Sequence, residues 1–417
     1  MEKKMFQKFY RVFIVLTLAA VALSACAPAA TPTPQVQVQQ VEVTRIVAGT
    51  PQVIEITSTA APTVAATAAP TSMPEGSIQV NAAGATFPLP LYTEWTYAYQ
   101  YVDPSVAINY QGIGSGGGKK AIIDGTVDFA GSDSLLADAD YTAGKDLQMY
   151  PIVASAVVPV YNIKWSVDLT ATPAPTIPPL VLDRTTLVGI YNGTITSWND
   201  PAIVALNPGL KTFLPAAKIT VVHRSDGSGT TEIFTKALTS FSPDWKAGGA
   251  QSVQWPVDKL GTGVGGKGNP GVAGAVLNSP NSIGYVEIAY AISNNIPFAQ
   301  MINKSGKTVT ANAASLASAM ADFANNFTPQ LTNTIVDAPG AASWPIAGYT
   351  YLILHTTSMT DCVKAQKILE YIKWSLTDPS AAKKAADLGY AVLPSDVQKL
   401  VLAKLAAVTC NGNPVLK

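Results

Sequence analysis

The chain has 417 residues, with 27 basic and 27 acidic side chains, a formal net charge of zero, and only 13% charged residues against 48% hydrophobic ones. This balance excludes the basic field that nucleic-acid binding requires, and it suits a small ligand whose charge is neutralised locally. The length leaves room for two domains.

Lys3, Lys4, Lys8 and Arg11 precede an apolar run from Val12 to Leu23. The run is too short to span a bilayer comfortably, so residues 1–25 read as a secretory signal peptide. It closes on Leu23-Ser24-Ala25-Cys26, which resembles the lipobox of bacterial lipoproteins. That resemblance implies export and a lipidated Cys26 that anchors the protein to the cell membrane on its extracytoplasmic side. Residues 26–76 are dominated by Ala, Pro, Thr, Val and Gln. They cannot bury a core and read as a tether spanning roughly several tens of Å.

In the mature part, Ser77 to Val80 predicts a strand, and Pro88 to Leu91 opens a helix carrying Trp95 and Tyr99. Val106 to Tyr110 is a second strand. The glycine-rich stretch Gly112 to Gly118 follows, with a helix expected to start at Lys119, and then a short strand, Val127 to Ala130. Strand, glycine-rich turn and helix alternate, which predicts an α/β fold with ligand groups at strand ends. Met149 to Tyr161 reads as a long strand crossing from one domain to the other, and Pro345 to His355 as the return crossing. Thr172 to Pro179 reads as a proline-rich surface loop. Between the crossings lie Leu187 to Tyr191, the loop Ser197 to Pro201 and a strand from Lys218 to His223. Gly261 to Gly268 spells a dinucleotide fingerprint, but no clear strand precedes it, so it reads as a loop leading to a helix near Val272 to Leu277. Helices over Cys362 to Leu376 and Ser380 to Leu388 close the chain. Cys362 and Cys410 form an even pair in an oxidising compartment, which points to one disulfide; two separate buried thiols are the alternative.

Three turns place small or hydroxyl residues just before a helix: Ala85-Thr86-Phe87, Gly114-Ser115-Gly116 and Ser228-Gly229-Thr230. Helix N-termini carry unsatisfied N–H groups and about half a positive charge, so three converging ends suit one anion. Arg224 adds a planar fork of donors matched to a tetrahedral oxyanion, and Asp226 is placed to orient it. Asp133 is the informative exception. A carboxylate in an anion site is misplaced unless the anion brings a proton, as phosphate does and sulfate does not. Two like charges 4 Å apart at an effective dielectric of 20 repel by about 4 kcal/mol, roughly a thousandfold in affinity. Asp133 is therefore expected to accept phosphate and reject sulfate. His223 and His355 lie on apolar segments and read as core or edge residues, and no metal or cofactor motif is found.

Gly84-Ala85-Thr86-Phe87-Pro88, Tyr110 to Gly118, Val127 to Asp133 and Arg224 to Thr230 together resemble the phosphate-binding protein of the bacterial phosphate-specific ABC transporter. The likeness runs from about Ser77 to Leu393 and includes Ser197 to Pro201 and Ser282 to Glu287. It implies a two-lobed periplasmic-binding-protein fold, type II-like, with two crossing hinge strands. Residues 77–153 and 344–417 are expected to form lobe 1 and residues 154–343 lobe 2. By motif it places phosphate contacts on Thr86, Phe87, Ser115, Asp133, Arg224, Ser228, Gly229 and Thr230, with Asp226 holding Arg224. It implies a monomer that captures inorganic phosphate without chemistry, metal or cofactor. Delivery is to ABC permease subunits and, through them, the cytoplasmic ATPase. The alternatives are a receptor for sulfate, molybdate or arsenate, a secreted phosphohydrolase using Ser228 as nucleophile, and a surface or sensing module without a transporter.

Overall fold

The computed structural model describes residues 77–167, 170 and 175–416. The expected signal peptide, Cys26 and the tether lie outside the described residues, as do Thr172 to Ala174 of the proline-rich loop. Pro175 to Pro179 run without regular structure, half-buried to exposed.

Strands β1 (Ile78–Gly84), β2 (Val106–Gly112) and β3 (Phe129–Ser132) lie in parallel, with β1 central. They are linked by crossover helices Leu89–Val102 and Ser115–Ile123. The sixteen-residue β4 (Leu147–Asn162) is buried along almost its whole length. Its near-continuous apolar sequence is what a strand covered on both faces requires. After β5 (Val181–Asp183) come β6 (Thr220–Arg224), β7 (Gly263–Gly266) and β8 (Ser282–Glu287), then β9 (Gln300–Ile302) and β10 (Thr308–Val309), which join β5 in a small separate sheet. The chain returns through β11 (Ala347–His355), and β12 (Ala391–Val392) adds to β4.

The main sheet runs in the order β2-β1-β3-β11-β4-β8-β6-β7. Along β4, residues Leu147 to Ala156 pair antiparallel with β11, and Val157 to Asn162 pair antiparallel with β8. One strand thus belongs to both halves of the sheet. Pro151 stands opposite Tyr351 and Val153 opposite Thr350, so the register shifts between Thr350 and Tyr351 and skips Ile152. Proline has no N–H to give a ladder, and bulges of this kind re-aim a side chain.

Two of the sequence expectations need correction. The helix expected from Lys119 begins at Ser115 and includes Gly116 to Gly118. Glycine disfavours helix interiors, but here packing decides. A Cβ on Gly118 would stand 2.6 Å from Gly84 Cα, 2.8 Å from Gly131 O and 3.0 Å from Ala83 O, so only glycine lets this turn rest on the strand ends. The glycine run at Gly261 also contains a strand. Gly263 to Gly266 pair in parallel with Val221 to Arg224, and the following helix is Gly268–Asn278. Cys362 and Cys410 are joined in a disulfide, which ties the helix Cys362–Thr377 to the C-terminal tail.

Candidate functional site

The three turns converge. Thr86 lies in the turn after β1, Ser115 opens the helix after β2, and Gly229 opens the helix Gly229–Phe241 after β6. Ser115 Oγ accepts hydrogen bonds from the Asp133 N–H at 3.2 Å and the Gly229 N–H at 3.1 Å, and donates to Asp133 Oδ2 at 3.3 Å. The Gly116 N–H donates to Gly227 O at 3.0 Å. These contacts bring groups from the two halves of the sheet against each other. Gly229 sits where no side chain fits: a Cβ there would stand 2.6 Å from Asp133 Cβ, from Ser115 Oγ and from the Ser134 nitrogen.

Arg224 is the last residue of β6 and is buried. Its Nε donates to Asp226 Oδ1 at 2.7 Å and its Nη2 to Asp226 Oδ2 at 2.5 Å, while Nη1 donates to Thr230 Oγ1 at 3.3 Å. The two-pronged pair fixes the plane of the guanidinium, as bidentate geometry does. Burial works to raise the Asp226 carboxyl, but the Arg224 fork and the Gly268 N–H outweigh it and hold the group below the ordinary carboxylate range. Asp226 is therefore a charged partner throughout the neutral range.

Asp133 behaves oppositely. Burial pushes its carboxyl up to about 7, against the opposing pull of hydrogen bonds from Thr350 and Ser115 and of the Arg224 charge. Thr350 Oγ1 donates to Asp133 Oδ1 at 2.8 Å, and the bulge at Thr350 lies beside this contact. A buried carboxyl poised near neutrality holds or yields a proton at small cost, the property a proton acceptor in an anion site needs.

Tyrosine hydroxyls secure the turn after β1: Tyr110 donates to Ala85 O at 2.9 Å, Tyr290 to Thr86 O at 2.5 Å and Tyr390 to Phe87 O at 2.7 Å. Tyr285 Oη accepts from the Arg224 N–H at 3.2 Å and shares a 2.7 Å hydrogen bond with Thr231 Oγ1. Ser228 is buried and caps its helix, its Oγ accepting from the Thr231 N–H at 3.0 Å. The histidines are engaged elsewhere. His223 pairs with Asp258 at 2.7 Å and stacks on Trp255, and His355 pairs with Asp146 at 2.6 Å. Among the described residues, no cluster of three or more His, Cys, Asp or Glu could hold a metal ion.

Several residues of this cluster escaped sequence reasoning: Asn269, Thr350, Tyr285, Tyr290 and Tyr390. Thr350 carried a visible signal, being the one small hydroxyl residue in the apolar run of β11. Asn269 carried another, a polar side chain directly after a glycine run and at the start of a helix.

The family model for the PBP superfamily domain matches residues 57–379. A phosphate-binding protein PstS from Xylella fastidiosa is 38% identical over 347 residues, covering 82% of this chain and 88% of the relative. The chain belongs to the PstS family. Another member, from Methanocaldococcus jannaschii, is 35% identical over 342 residues, covering 78% of this chain and 85% of that one. Solved structures share the two-lobed fold of this PstS-family chain. A high affinity periplasmic phosphate-binding protein with phosphate bound matches with a TM-score of 0.61 at 21% identity, over 78% of this chain and 93% of that one. A phosphate-binding protein from Stenotrophomonas maltophilia matches at 0.57 and 22%, over 81% and 99%.

Proposed function

We propose that this PstS-family protein captures inorganic phosphate between two lobes and delivers it to an ABC permease, performing no chemistry on it. The observation that carries this reading is the buried cluster in which Arg224, held by Asp226, stands with Thr86, Thr230, Ser115 and Asp133. It combines strong donors for an oxyanion with a single acceptor, and phosphate at neutral pH offers both acceptor oxygens and one hydrogen. Thr86, Phe87, Ser115, Asp133, Arg224, Ser228, Gly229 and Thr230 are assigned as its contacts. The lobes are assigned to residues 77–153 with 344–417, and to 154–343. Support for these boundaries comes from the change of pairing partner along β4 and from the start of β11 at Ala347. In this reading Cys26 carries the lipid that anchors the protein outside the cytoplasm. Among the described residues no helix is long and apolar enough to cross a membrane.

Ser115 is assigned a double role. Its hydroxyl points at Asp133, over a long 3.3 Å contact, and is free to swing from there to the ligand. Ser228 is a poor nucleophile here, since its oxygen caps a helix and both histidines pair with carboxylates away from it. Calorimetric titration of the mature protein with phosphate tests the proposal: saturable binding of one anion per chain is expected, with arsenate competing and sulfate failing to. Absence of binding, or preference for sulfate or molybdate, overturns it. Release of phosphate from a chromogenic ester, lost in Ser228→Ala, would establish a hydrolase instead.

A further inference from the structure

Asn269 lies in the first turn of the helix Gly268–Asn278 and is fully buried. Its Oδ1 accepts from the Glu287 N–H at 3.0 Å. That donor fixes the amide orientation, because an NH₂ group there would face another hydrogen. The Nδ2 side then donates to Thr86 Oγ1 and to Thr230 Oγ1, each at 3.0 Å, and the Asn269 N–H donates to Thr86 Oγ1, also at 3.0 Å. Thr230 Oγ1 takes a second hydrogen from Arg224 Nη1 at 3.3 Å.

A hydroxyl has two acceptor lone pairs and one hydrogen to give. On both threonines the lone pairs are now occupied by N–H groups, so each side chain has only its own hydrogen left to offer. We infer that Asn269 is a positioning residue that sets the hydrogen-bond polarity of the cleft, forcing Thr86 and Thr230 to act as donors and so restricting the hydrogen of the bound anion to the Asp133 side. The inference rests on the phosphate reading above and deepens it. The anion's hydrogen cannot be donated to either threonine, because both lone pairs there are taken and two hydrogens would meet. Asp133 is left as the carboxylate that can receive it, which favours one orientation of a tetrahedral anion with one hydrogen. Asn269 also ties the two halves together, since Thr86 follows β1 and Thr230 follows β6.

The test is Asn269→Asp, which keeps the shape and replaces the donating amide by an acceptor. Both threonine hydrogens then turn toward residue 269, and phosphate affinity is expected to fall about 100-fold near neutral pH. The deficit should shrink at least about tenfold between about pH 8 and pH 5, as protonation of the introduced carboxyl restores a donor. A packing lesion alone would leave a deficit independent of pH. If Asn269→Asp does not fold, Asn269→Ala is compared in the wild-type and Thr86→Val backgrounds. The expected result is a much smaller loss where the Thr86 hydroxyl is already gone. Wild-type affinity in Asn269→Asp, a pH-independent deficit, or additive losses in the Asn269→Ala comparison overturn the inference while wild-type protein still binds phosphate. Failure of the wild-type protein to bind phosphate at all overturns the functional reading and this inference with it.

Discussion

At the scale of single residues, the site is a set of opposed demands on charge. Arg224 and Asp226 are both largely withdrawn from water, with side-chain exposures of 1% and 15%. Removing one partner of such a pair strands the other, at a cost of about 3–5 kcal/mol. Arg224→Ala is expected to weaken phosphate binding by more than about a hundredfold, measured by calorimetry. Arg224→Lys should recover little, because an ammonium cannot grip Asp226 with two parallel bonds and still reach Thr230. Asp133 has a different signature. Sulfate brings no hydrogen, so it can enter only when Asp133 itself is protonated, and that group is raised to about 7. Sulfate affinity of the wild-type protein should therefore rise as pH falls toward that value, by about tenfold per pH unit above it. In Asp133→Asn the dependence should vanish and sulfate should bind better at pH 8. A flat sulfate profile in the wild-type protein contradicts this role for Asp133.

At the scale of elements, the site depends on how closely helix starts approach strand ends. The helix Ser115–Ile123 can lie where it does because Gly118 meets backbone atoms of Ala83, Gly84 and Gly131. Gly118→Ala should lift that turn, displace Ser115, reduce phosphate affinity and cost about 1–3 kcal/mol of stability, measured by urea unfolding alongside the titration. An unchanged affinity would mean that Ser115 tolerates movement. The same feature explains what sequence reading could and could not reach. Thr86, Ser115, Asp133 and Arg224 each announce themselves as a polar or hydroxyl residue where a strand gives way to a turn of small residues. The boundaries of the glycine-rich elements do not, because Gly116 to Gly118 become helical, and Gly263 to Gly266 become a strand, only through tertiary contacts. Thr350 and Asn269 reach the cluster from far along the chain. One arrives by the antiparallel register of β11 on β3, which sets Tyr351 opposite Ser132; the other arrives on the helix after β7 and bonds Thr86 and Thr230. Neither partner is encoded within a local window. The disulfide Cys362–Cys410 was one of two readings open in the sequence, favoured over separate thiols by the expected export and by setting Cys26 aside, and closing a loop of this length contributes about 4 kcal/mol in the chain-entropy account.

For the molecule as a whole, buried carboxyls tie stability to pH. Burial raises Asp133 to about 7 and Glu287 to about 8. Glu287 is fully buried, where Ser155 Oγ donates to its Oε1 at 2.6 Å and the Ala289 N–H donates to its Oε2 at 3.0 Å. Groups raised on folding bind protons more tightly in the folded state, so their contribution is complete below their unfolded values near 4 and is lost as pH rises through 7 to 8. Asp146 runs the other way: burial works to raise it, but the His355 ring and the N–H groups of Thr357 and Ser358 hold it well below the usual range. Its contribution is present above about pH 4 and lost on further acidification. The ligand-free protein should thus melt highest in mild acid and lose melting temperature from pH 5 to pH 8, by scanning calorimetry, with Glu287→Gln flattening the slope. A melting temperature that climbs over that interval would refute the assignment. β4, finally, carries a mechanical corollary. Because an uninterrupted backbone serves both halves of the main sheet, any parting of the halves has to be absorbed as torsion over a few peptide units around Ala156 and Val157. Excursion then grows with distance from that seam, so optical labels straddling the rim would register each capture event while a pair beside Ala156 stayed silent.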